Sequence, residues 1–430
     1  MIQTLKNAWK IEELRRKILF TLLIILLYRL GNAIPVPYVN KEALELYFAS
    51  VQGTMLGLYN MMSGGAFSQA TIFALSIQPY INASIIIQLL CIAIPALERL
   101  SKEGGEEGRK KIASITRYAT VGIGLLMGFA YYMLMRNYQL ISAGYEKSFW
   151  TALVIILTFT SGSALIMWLG EQITEFGIGN GISIILFASI MARLPRSIIA
   201  TVQNVARGEL AWWAAVLMFL GALAIIVLIV FVNDAERRLP VQYAKRVVGR
   251  KMYGGQSTFL PMKVNMSGVM PIIFASSIGS LPATIAGLAG KSTEGTWAET
   301  WFGNASIPYA IIYFLLIIFF AYFYSTIQFN PIEVSNNLKK NGGYIPGFRP
   351  GKPTSEFIQK VLNKITLFGA IYLGIIAVVP ILISHFSDAA RLTGLSLGGT
   401  SIMIAVGVAL ETVRALEAQM LMRNYKGFLD

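Results

Sequence analysis

Long apolar runs, separated by shorter polar connections, dominate the pattern of hydrophobic and polar positions along the chain. A helix needs about 20 mostly apolar residues to cross the hydrocarbon core of a bilayer. Ten runs approach that length, and they begin near Ile18, Ile77, Tyr118, Phe149, Gly181, Ala211, Met266, Ile307, Thr366 and Gly398. The pattern predicts an all-α polytopic membrane protein with ten transmembrane helices, and an even number of spans places both termini on the same side.

The stretch from Leu58 to Pro95 departs from this simple spanning pattern. Its first part, Tyr59 to Phe73, is too short and too polar to cross the bilayer, whereas its second part, Ile77 to Pro95, is long enough. A short half-helix joined to a full helix is typical of a pathway through a membrane protein, because irregular backbone is tolerated there only where protein or water satisfies its polar groups. We therefore expect the functional centre in this stretch.

Composition excludes several function classes. Hydrophobic residues make up 55% of the 430 positions and charged residues 13%, with a mean hydropathy of +0.60, which excludes an ordinary soluble domain. The single cysteine, Cys91, excludes an internal disulfide, and the single histidine, His385, leaves no His/Cys cluster for a zinc site. Because the sequence also has neither a P-loop motif nor a Ser/His/Asp arrangement, we expect no metal, no cofactor and no enzyme activity.

The distribution of basic residues predicts the orientation in the membrane. Of the 36 Lys and Arg residues, five precede the first span, six lie in 99–117, seven in 237–263, six in 339–364 and three from 414 onward. Placing the N-terminus in the cytoplasm puts all of these groups on the cytoplasmic side, as the positive-inside rule requires. Both termini are therefore expected to be cytoplasmic, and topology accounts for most of the net charge of +14.

Three of the cytoplasmic connections are long and basic. Those between spans 2 and 3, 6 and 7, and 8 and 9 have roughly 20, 33 and 35 residues, and loops above about 12–15 residues are usually functional or disordered. The third contains Asn336 to Thr354, whose Gly and Pro content predicts a defined turn presenting Arg349 rather than a helix. Together the three loops indicate a docking surface for a large acidic or RNA-rich partner.

The second span combines apolar and amide side chains. Ile81 and Ile85 are four residues apart and share a helix face, while Asn82, Ser84 and Gln88 argue against burial wholly in lipid. Such a helix suits a channel wall with an apolar constriction, which blocks ions by dewetting. Ionisable residues are scarce within the spans, which weighs against an ion-coupled transporter. A small-solute secondary transporter with inverted repeats nevertheless stays the alternative.

Long motifs in one order along the chain carry a family resemblance. They are IPVP (Ile34 to Pro37), SGGA followed by PYINASIIIQLL (Pro79 to Leu90), KEG…GRKKI…TRY (Lys102 to Tyr118), MWLGEQITEFGIGNGISII (Met167 to Ile185), YAKR (Tyr243 to Arg246), LPMKVNMSGVMPIIFASS (Leu260 to Ser277), NNLKKNGGYIPGFRPGKPT (Asn336 to Thr354) and GGTS (Gly398 to Ser401). Through them the chain closely resembles, nearly end to end, the SecY family, which forms the channel subunit of the bacterial Sec protein translocon.

The resemblance implies two inverted five-helix halves, residues 1–205 and 206–430, around a central hourglass pore. It implies long cytoplasmic loops at about 233–265 and 330–365, and a plug at about 59–73 that closes the outer funnel. The plug positions that we single out are Asn60, Ser63, Gly64, Gly65, Phe67 and Thr71. The pore-ring positions fall on Ile81, Ile85, Leu186, Ile190, Ile273 and Ile404, where Leu186 replaces the usual isoleucine.

Two further sites follow from the same resemblance. A lateral gate is expected between the second and seventh spans, at Gln88, Ser276 and Pro282. The cytoplasmic docking residues are expected to be Arg349, Arg246, Arg250 and Lys251.

The resemblance also implies a function and partners. It implies a channel in the bacterial cytoplasmic membrane that translocates unfolded secretory polypeptides and releases hydrophobic segments sideways into the membrane lipid. The driving partner would be the motor ATPase SecA or the ribosome. The substrates would be polypeptides that carry a signal sequence, and SecE and SecG would be the accompanying subunits.

Overall fold

The computed structural model is mostly helical. It describes residues 2–50, 60, 63–102, 104–145, 148–243, 246–248, 251–253, 257–288, 301, 306–386 and 398–426. The helices of the N-terminal part are α1 (Ile2–Lys10), α2 (Glu12–Gly31), α3 (Lys41–Ser50), α4 (Gln78–Ala93), α5 (Pro95–Lys102), α6 (Gly105–Asn137), α7 (Phe149–Phe176) and α8 (Gly181–Ala206). Those of the C-terminal part are α9 (Trp212–Asp234), α10 (Met270–Leu288), α11 (Ile307–Gln328), α12 (Pro331–Lys340), α13 (Lys352–Phe386) and α14 (Gly398–Lys426).

Local sequence explains several helix ends. Asn180 begins α8 because its side chain accepts hydrogen bonds from the backbone N–H groups of Ile182 and Ser183. Ser306 and Asn330 cap α11 and α12 in the same way. Ile94 separates α4 from α5 in an extended conformation, since a residue before proline is disfavoured in the helical region. The two helices are consequently bent by 106° at this point.

All ten apolar runs predicted from sequence lie in helices of the structure. Within the described residues, six helices are long and apolar enough to cross a membrane, and the bent α4–α5 pair would be a seventh. Helix α9 is almost wholly apolar, yet only Ile229 and Val232 of its side chains are buried. Such an apolar outer face needs lipid around it, so the chain is a multi-pass membrane protein. Ten spans stay a prediction.

A small antiparallel sheet joins two of the long basic connections. Strand β1 (Glu236–Tyr243) pairs with β4 (Ser257–Lys263), and its other edge pairs with the short β5 (Gly343–Tyr344). Between β1 and β4, the strands β2 (Arg246–Val248) and β3 (Lys251–Tyr253) pair with each other. The expectation of an all-α chain missed this sheet.

The connection between α11 and α13 corrects one sequence expectation. Asn336 to Thr354 was expected to avoid helix, but α12 continues to Lys340. Asn330 caps this helix, Glu333 lies in its first turn and Lys339 and Lys340 lie in its last turn, so the charges complement the helix dipole at both ends. The predicted turn does occur after β5, at residues 346–351.

The main hydrophobic core lies where helices from both parts of the chain meet. It contains buried side chains from α2, α4, α7 and α8 together with side chains from α9, α10, α11, α13 and α14. A second cluster, built around Phe67, Tyr131 and Phe159, packs α3, α6 and α7 against the residues that precede α4. A smaller cluster packs the sheet against α13, through Leu239, Met262 and Ile358.

Gly162 allows the chain before α4 to pack directly on α7, and we predict that Gly162→Ala destabilises the fold. A Cβ atom at this position would lie 2.0 Å from the carbonyl oxygen of Ile72, which is a backbone atom and moves only with its segment. Overpacking of this kind costs about 1–3 kcal/mol. The unfolding midpoint of the purified chain in detergent should therefore fall.

Gly122→Ala is the matched control, because a Cβ at Gly122 in α6 would meet no atom within 4 Å. Its midpoint should stay unchanged or rise slightly, since alanine favours helix over glycine by up to about 1 kcal/mol. Equal midpoints for the two variants would contradict the close packing at Gly162.

Candidate functional site

The six side chains expected to form a pore ring are buried in one hydrophobic cluster. They come from four helices: Ile81 and Ile85 from α4, Leu186 and Ile190 from α8, Ile273 from α10 and Ile404 from α14. Each is at most 6% exposed. Because α4 and α8 each contribute residues four apart, each presents one apolar face to the cluster. The structure thus brings together residues that are up to 323 positions apart in sequence (404 − 81).

The segment before α4 is folded into turns. Within 59–73, the structure describes Asn60 and residues 63–73. From residue 63 onward the chain forms a series of turns, with one 3-10 turn at Phe67–Gln69. The expected half-helix is therefore wrong for residues 63–73. We call Asn60 together with residues 63–73 the plug segment, after the role that the family resemblance implies.

Polar side chains of the plug segment explain why its residues 63–73 do not form an α-helix. The Asn60 side-chain oxygen accepts from the Ser68 N–H at 2.9 Å, and the Ser63 hydroxyl oxygen accepts from the Phe67 N–H at 3.0 Å. Such side-chain bonds offer the backbone an alternative to helix. Gly64 also has a φ of 69°, in the left-handed region that favours glycine.

One side of the plug segment lies against α8, next to the apolar cluster. A Cβ atom on Gly64 would lie 2.9 Å from the carbonyl oxygen of Ser189, the residue that precedes Ile190. The Ser189 hydroxyl is hydrogen-bonded to the Tyr28 hydroxyl of α2 at 2.7 Å. The plug segment therefore contacts the wall at the level of the predicted ring.

The other side of the plug segment is held in the second cluster. The Phe67 ring stacks on Tyr131 with centroids 4.1 Å apart, and the Tyr131 hydroxyl donates a hydrogen bond to the Phe67 carbonyl. Thr71 is buried and forms an isolated bridge with Pro35 of the IPVP motif. Phe67 thus fixes the plug segment from the side away from the ring.

A hydrogen bond joins the second and seventh predicted spans at a position that sequence reasoning missed. The Gln78 side-chain amide of α4 donates to the Ser277 hydroxyl of α10 at 3.0 Å, and both residues are buried. The expected gate residues bond within their own helices: Gln88 donates to Ser84 at 3.2 Å, and Ser276 donates to the Ile273 carbonyl at 2.9 Å. Two features of the sequence could have indicated this bond: the weakly apolar residues around Ser277, and the amide side chain of Gln78 directly before Pro79.

Pro282, the third expected gate residue, lies inside α10. A proline in a helix interior leaves one backbone carbonyl without its usual partner and favours a kink. Pro195 in α8 and Pro380 in α13 are interior prolines of the same kind, so Pro282 alone does not set α10 apart.

The expected docking residues lie on or beside the sheet. Arg349 is exposed in the turn between β5 and α13, and its carbonyl accepts a hydrogen bond from the Thr354 hydroxyl at 2.8 Å. Arg246 begins β2 and Lys251 begins β3, while Arg250 lies outside the described residues. Because β5 pairs with β1, one sheet carries both basic loops, which the sequence did not predict.

Beside this sheet, an ion pair joins the end of α9 to the middle of α14. Arg414 of α14 donates to the Asp234 carboxylate at 2.5 Å and to the Asn233 carbonyl at 2.8 Å. Partial burial lowers the pKa of the nearby Lys263 ammonium and the Arg414 charge lowers it further, whereas the carboxylates of Glu411, Asp234 and Glu236 raise it. Charges of both signs therefore meet where the sheet joins the helices.

Nothing in the described part of the chain forms a group of three or more His, Cys, Asp or Glu side chains that would hold a metal ion. The contacts described at the site are burial of apolar side chains and a few hydrogen bonds between helices.

Comparisons with known proteins agree with this architecture. The SecY family model matches residues 71–413. Protein translocase subunit SecY of Streptomyces coelicolor is 47% identical over 445 aligned positions, and that of Mycobacterium tuberculosis is 44% identical over 446, with both chains covered completely in each case.

Solved structures show the same fold. A structure described as a protein conducting channel has a TM-score of 0.66 at 16% identity, and covers 94% of this chain and 92% of its own. Sec61 in the canine ribosome-channel complex from the endoplasmic reticulum has a TM-score of 0.62 at 16% identity, with the same coverage. With a family model over most of its length and full-length relatives at 44–47% identity, the chain belongs to the SecY family.

Proposed function

We propose that this chain is the channel through which unfolded secretory polypeptides cross the bacterial cytoplasmic membrane, and from which hydrophobic segments pass sideways into lipid. The observation that carries the proposal is the burial of six apolar side chains from four helices in one cluster. Membership of the SecY family supports a translocation channel over the small-solute transporter.

The six side chains act as the constriction of the pore. Water is expelled from a narrow apolar passage, so ions are blocked without any fixed charge. Opening the passage exposes these side chains, which costs about 1.5–3 kcal/mol for each one that becomes fully exposed. An extended polypeptide restores much of that burial, because its side chains replace the lost contacts. The ring makes no sequence-specific hydrogen bonds, so it does not select one polypeptide sequence.

The plug segment closes the passage from the side opposite the basic loops. The close approach of Gly64 to Ser189, one residue before Ile190 of the proposed ring, supports this role. Its own hydrogen bonds, such as that between Asn60 and Ser68, keep it compact as a unit. It would therefore move as a body when a polypeptide enters.

The lateral gate opens between α4 and α10. The Gln78–Ser277 hydrogen bond joins these helices, and such bonds within membranes contribute about 0.6–2 kcal/mol. A bond of this strength holds a closed gate and breaks without large cost. A segment of about 20 apolar residues would then leave the channel because it is more stable in lipid.

The energy for translocation comes from a partner at the cytoplasmic face. The basic sheet, with Arg349 in its exposed turn, is the proposed docking surface for SecA or the ribosome. Sec61, which shares the fold, is described in a complex with a ribosome. In this proposal both termini are cytoplasmic, the halves are residues 1–205 and 206–430, ten helices span the membrane, and SecE and SecG accompany the chain.

We predict that Gly64→Ala raises the ion leak of the closed channel. The new methyl group would meet the Ser189 carbonyl oxygen and push the plug segment away from α8. Gly65→Ala is the matched control, since Gly65 also has a positive φ, of 93°, but a Cβ there would meet no atom within 4 Å. Conductance across planar bilayers should therefore be higher for Gly64→Ala than for Gly65→Ala, and equal conductance would refute the contact as a seal.

We predict that Arg349→Glu abolishes motor-driven translocation while the protein still folds and inserts. The measurement is protection of a secretory substrate from protease in proteoliposomes that contain the purified channel, SecA and ATP. The unaltered chain should protect the substrate only when SecA and ATP are both present, as a protein channel requires and a solute transporter does not. Lys360→Glu, an equal charge change at an exposed position of α13, should leave protection close to normal. Normal SecA-driven protection in the Arg349→Glu channel would show that Arg349 is not part of the docking surface.

A further inference from the structure

A cavity of about 290 Å³ lies between the plug segment, the end of α2 and the middle of α8. This volume is close to the lower limit, about 300 Å³, of typical small-ligand sites. The plug segment forms one wall. The residues that line the cavity are Arg29, Asn32, Ala33, Asn60, Gly64, Gly65, Ala66, Ser68, Gln69, Ala192, Arg193 and Arg196.

The lining is cationic and contains no carboxylate among the described residues. Arg193 and Arg196 are three positions apart on α8 and therefore share a face, and Arg29 faces them from α2. None of the three guanidinium groups forms an ion pair with a described residue. Three positive charges around one cavity repel each other, so a bound anion would stabilise the arrangement.

Three buried polar atoms in this lining have no hydrogen-bond partner among the described residues. One terminal nitrogen of Arg193 is buried without a hydrogen bond, and so are both polar atoms of the Asn32 amide. Arg29 donates to the Ala188 carbonyl and lies over the Tyr28 ring, with the guanidinium carbon 5.9 Å from the ring centroid. Buried polar groups are normally satisfied, so unpaired donors beside a cationic cavity indicate an acceptor from outside the chain.

The cavity lies at the end of the helices opposite the basic sheet. Leu14, near the start of α2, packs with Leu416 of α14, which is two residues beyond the Arg414 that bonds Asp234 beside the sheet. Arg29 is 15 residues farther along α2, which is about 22 Å at 1.5 Å per residue.

Exposed aliphatic side chains flank the cavity. They are Leu26 and Leu30 on α2, and Ile198 and Ile199 on α8. A lipid headgroup at the outer surface of the membrane would therefore reach the arginines while its acyl chains stay in the bilayer.

We propose that this cavity binds a phosphate group, presented by an anionic phospholipid or as free phosphate. Guanidinium groups bind phosphate oxygens through paired N–H donors, and Arg193 and Arg196 supply two such groups on one helix face. Asn60, Ser68 and Gln69 of the plug segment line the opposite wall. A bound phosphate group therefore links the plug segment to α2 and α8 and favours the closed position.

The test measures binding to the full-length chain purified in mild detergent. Phosphatidylglycerol is compared with a diacylglycerol of the same acyl chains, and inorganic phosphate is compared with chloride at equal ionic strength. The variant is R193Q/R196Q, and R136Q/R207Q is the matched control, since Arg136 and Arg207 are exposed and do not line the cavity. The readouts are native mass spectrometry for the lipids and the shift of the unfolding midpoint for phosphate.

The unaltered chain and R136Q/R207Q should bind phosphatidylglycerol in preference to the diacylglycerol. R193Q/R196Q should bind it at least about tenfold more weakly, because it loses two charge-assisted contacts. Saturable stabilisation by inorganic phosphate, lost in R193Q/R196Q, would identify free phosphate as a sufficient ligand; preference for the lipid alone would identify the headgroup.

Two results would overturn the proposal: equal binding by R193Q/R196Q and the unaltered chain, or equal weakening in both double variants. The single variant R196Q, at an exposed position, gives the same comparison if the double variant is unstable. The inference uses the proposed closing role of the plug segment, but the assay measures binding without translocation. Its failure is therefore distinguishable from failure of the proposed channel function.

Discussion

Burial of apolar side chains in one central cluster is the interaction on which the rest of this structure depends. In a bilayer the hydrophobic effect does not drive helices together, because lipid tails are as apolar as leucine. A dry apolar centre between helices therefore depends on close packing, and in the proposed function it is the part of the chain that opens for a threaded polypeptide. Ile81, Leu186, Ile273 and Ile404 belong to one buried cluster, which in that proposal is both core and barrier.

Polar contacts lie around this apolar centre, within the plug segment and between α4 and α10. The plug segment is compact through Asn60 and Ser63, and it contacts the wall at Gly64 rather than through a large apolar face. The gate helices α4 and α10 share the Gln78–Ser277 bond. In the proposed function, movement of the plug segment breaks its contacts with Tyr131 and Pro35, opening of the gate breaks the Gln78–Ser277 bond, and the apolar centre limits the passage of ions.

Sequence reasoning located the helices well because hydropathy reports the bilayer directly, and all ten apolar runs lie in helices. It failed where contacting residues are distant in sequence, or where polar side chains compete with a helix for backbone hydrogen bonds. The pairing of Gln242 with Tyr344 joins two loops that hydropathy treats as separate. Ser63 and Asn60 take backbone donors that a half-helix would use, and no local pattern pairs Gln78 with Ser277. The family resemblance singled out six residues that the structure buries in one cluster. The arginine cavity could not be predicted from the sequence, because α2 and α8 are far apart in the chain.

Site-specific photocrosslinking during translocation tests the central claim most directly. A photoreactive amino acid is placed at Leu186, which is 1% exposed, or at Leu220 of α9, which is 58% exposed. A secretory substrate is then arrested partway through the channel. The account predicts that position 186 forms adducts with the substrate and that position 220 forms adducts with lipid. Equal substrate adducts at both positions, or none at position 186, would contradict the account, because the polypeptide would then not pass through the apolar centre.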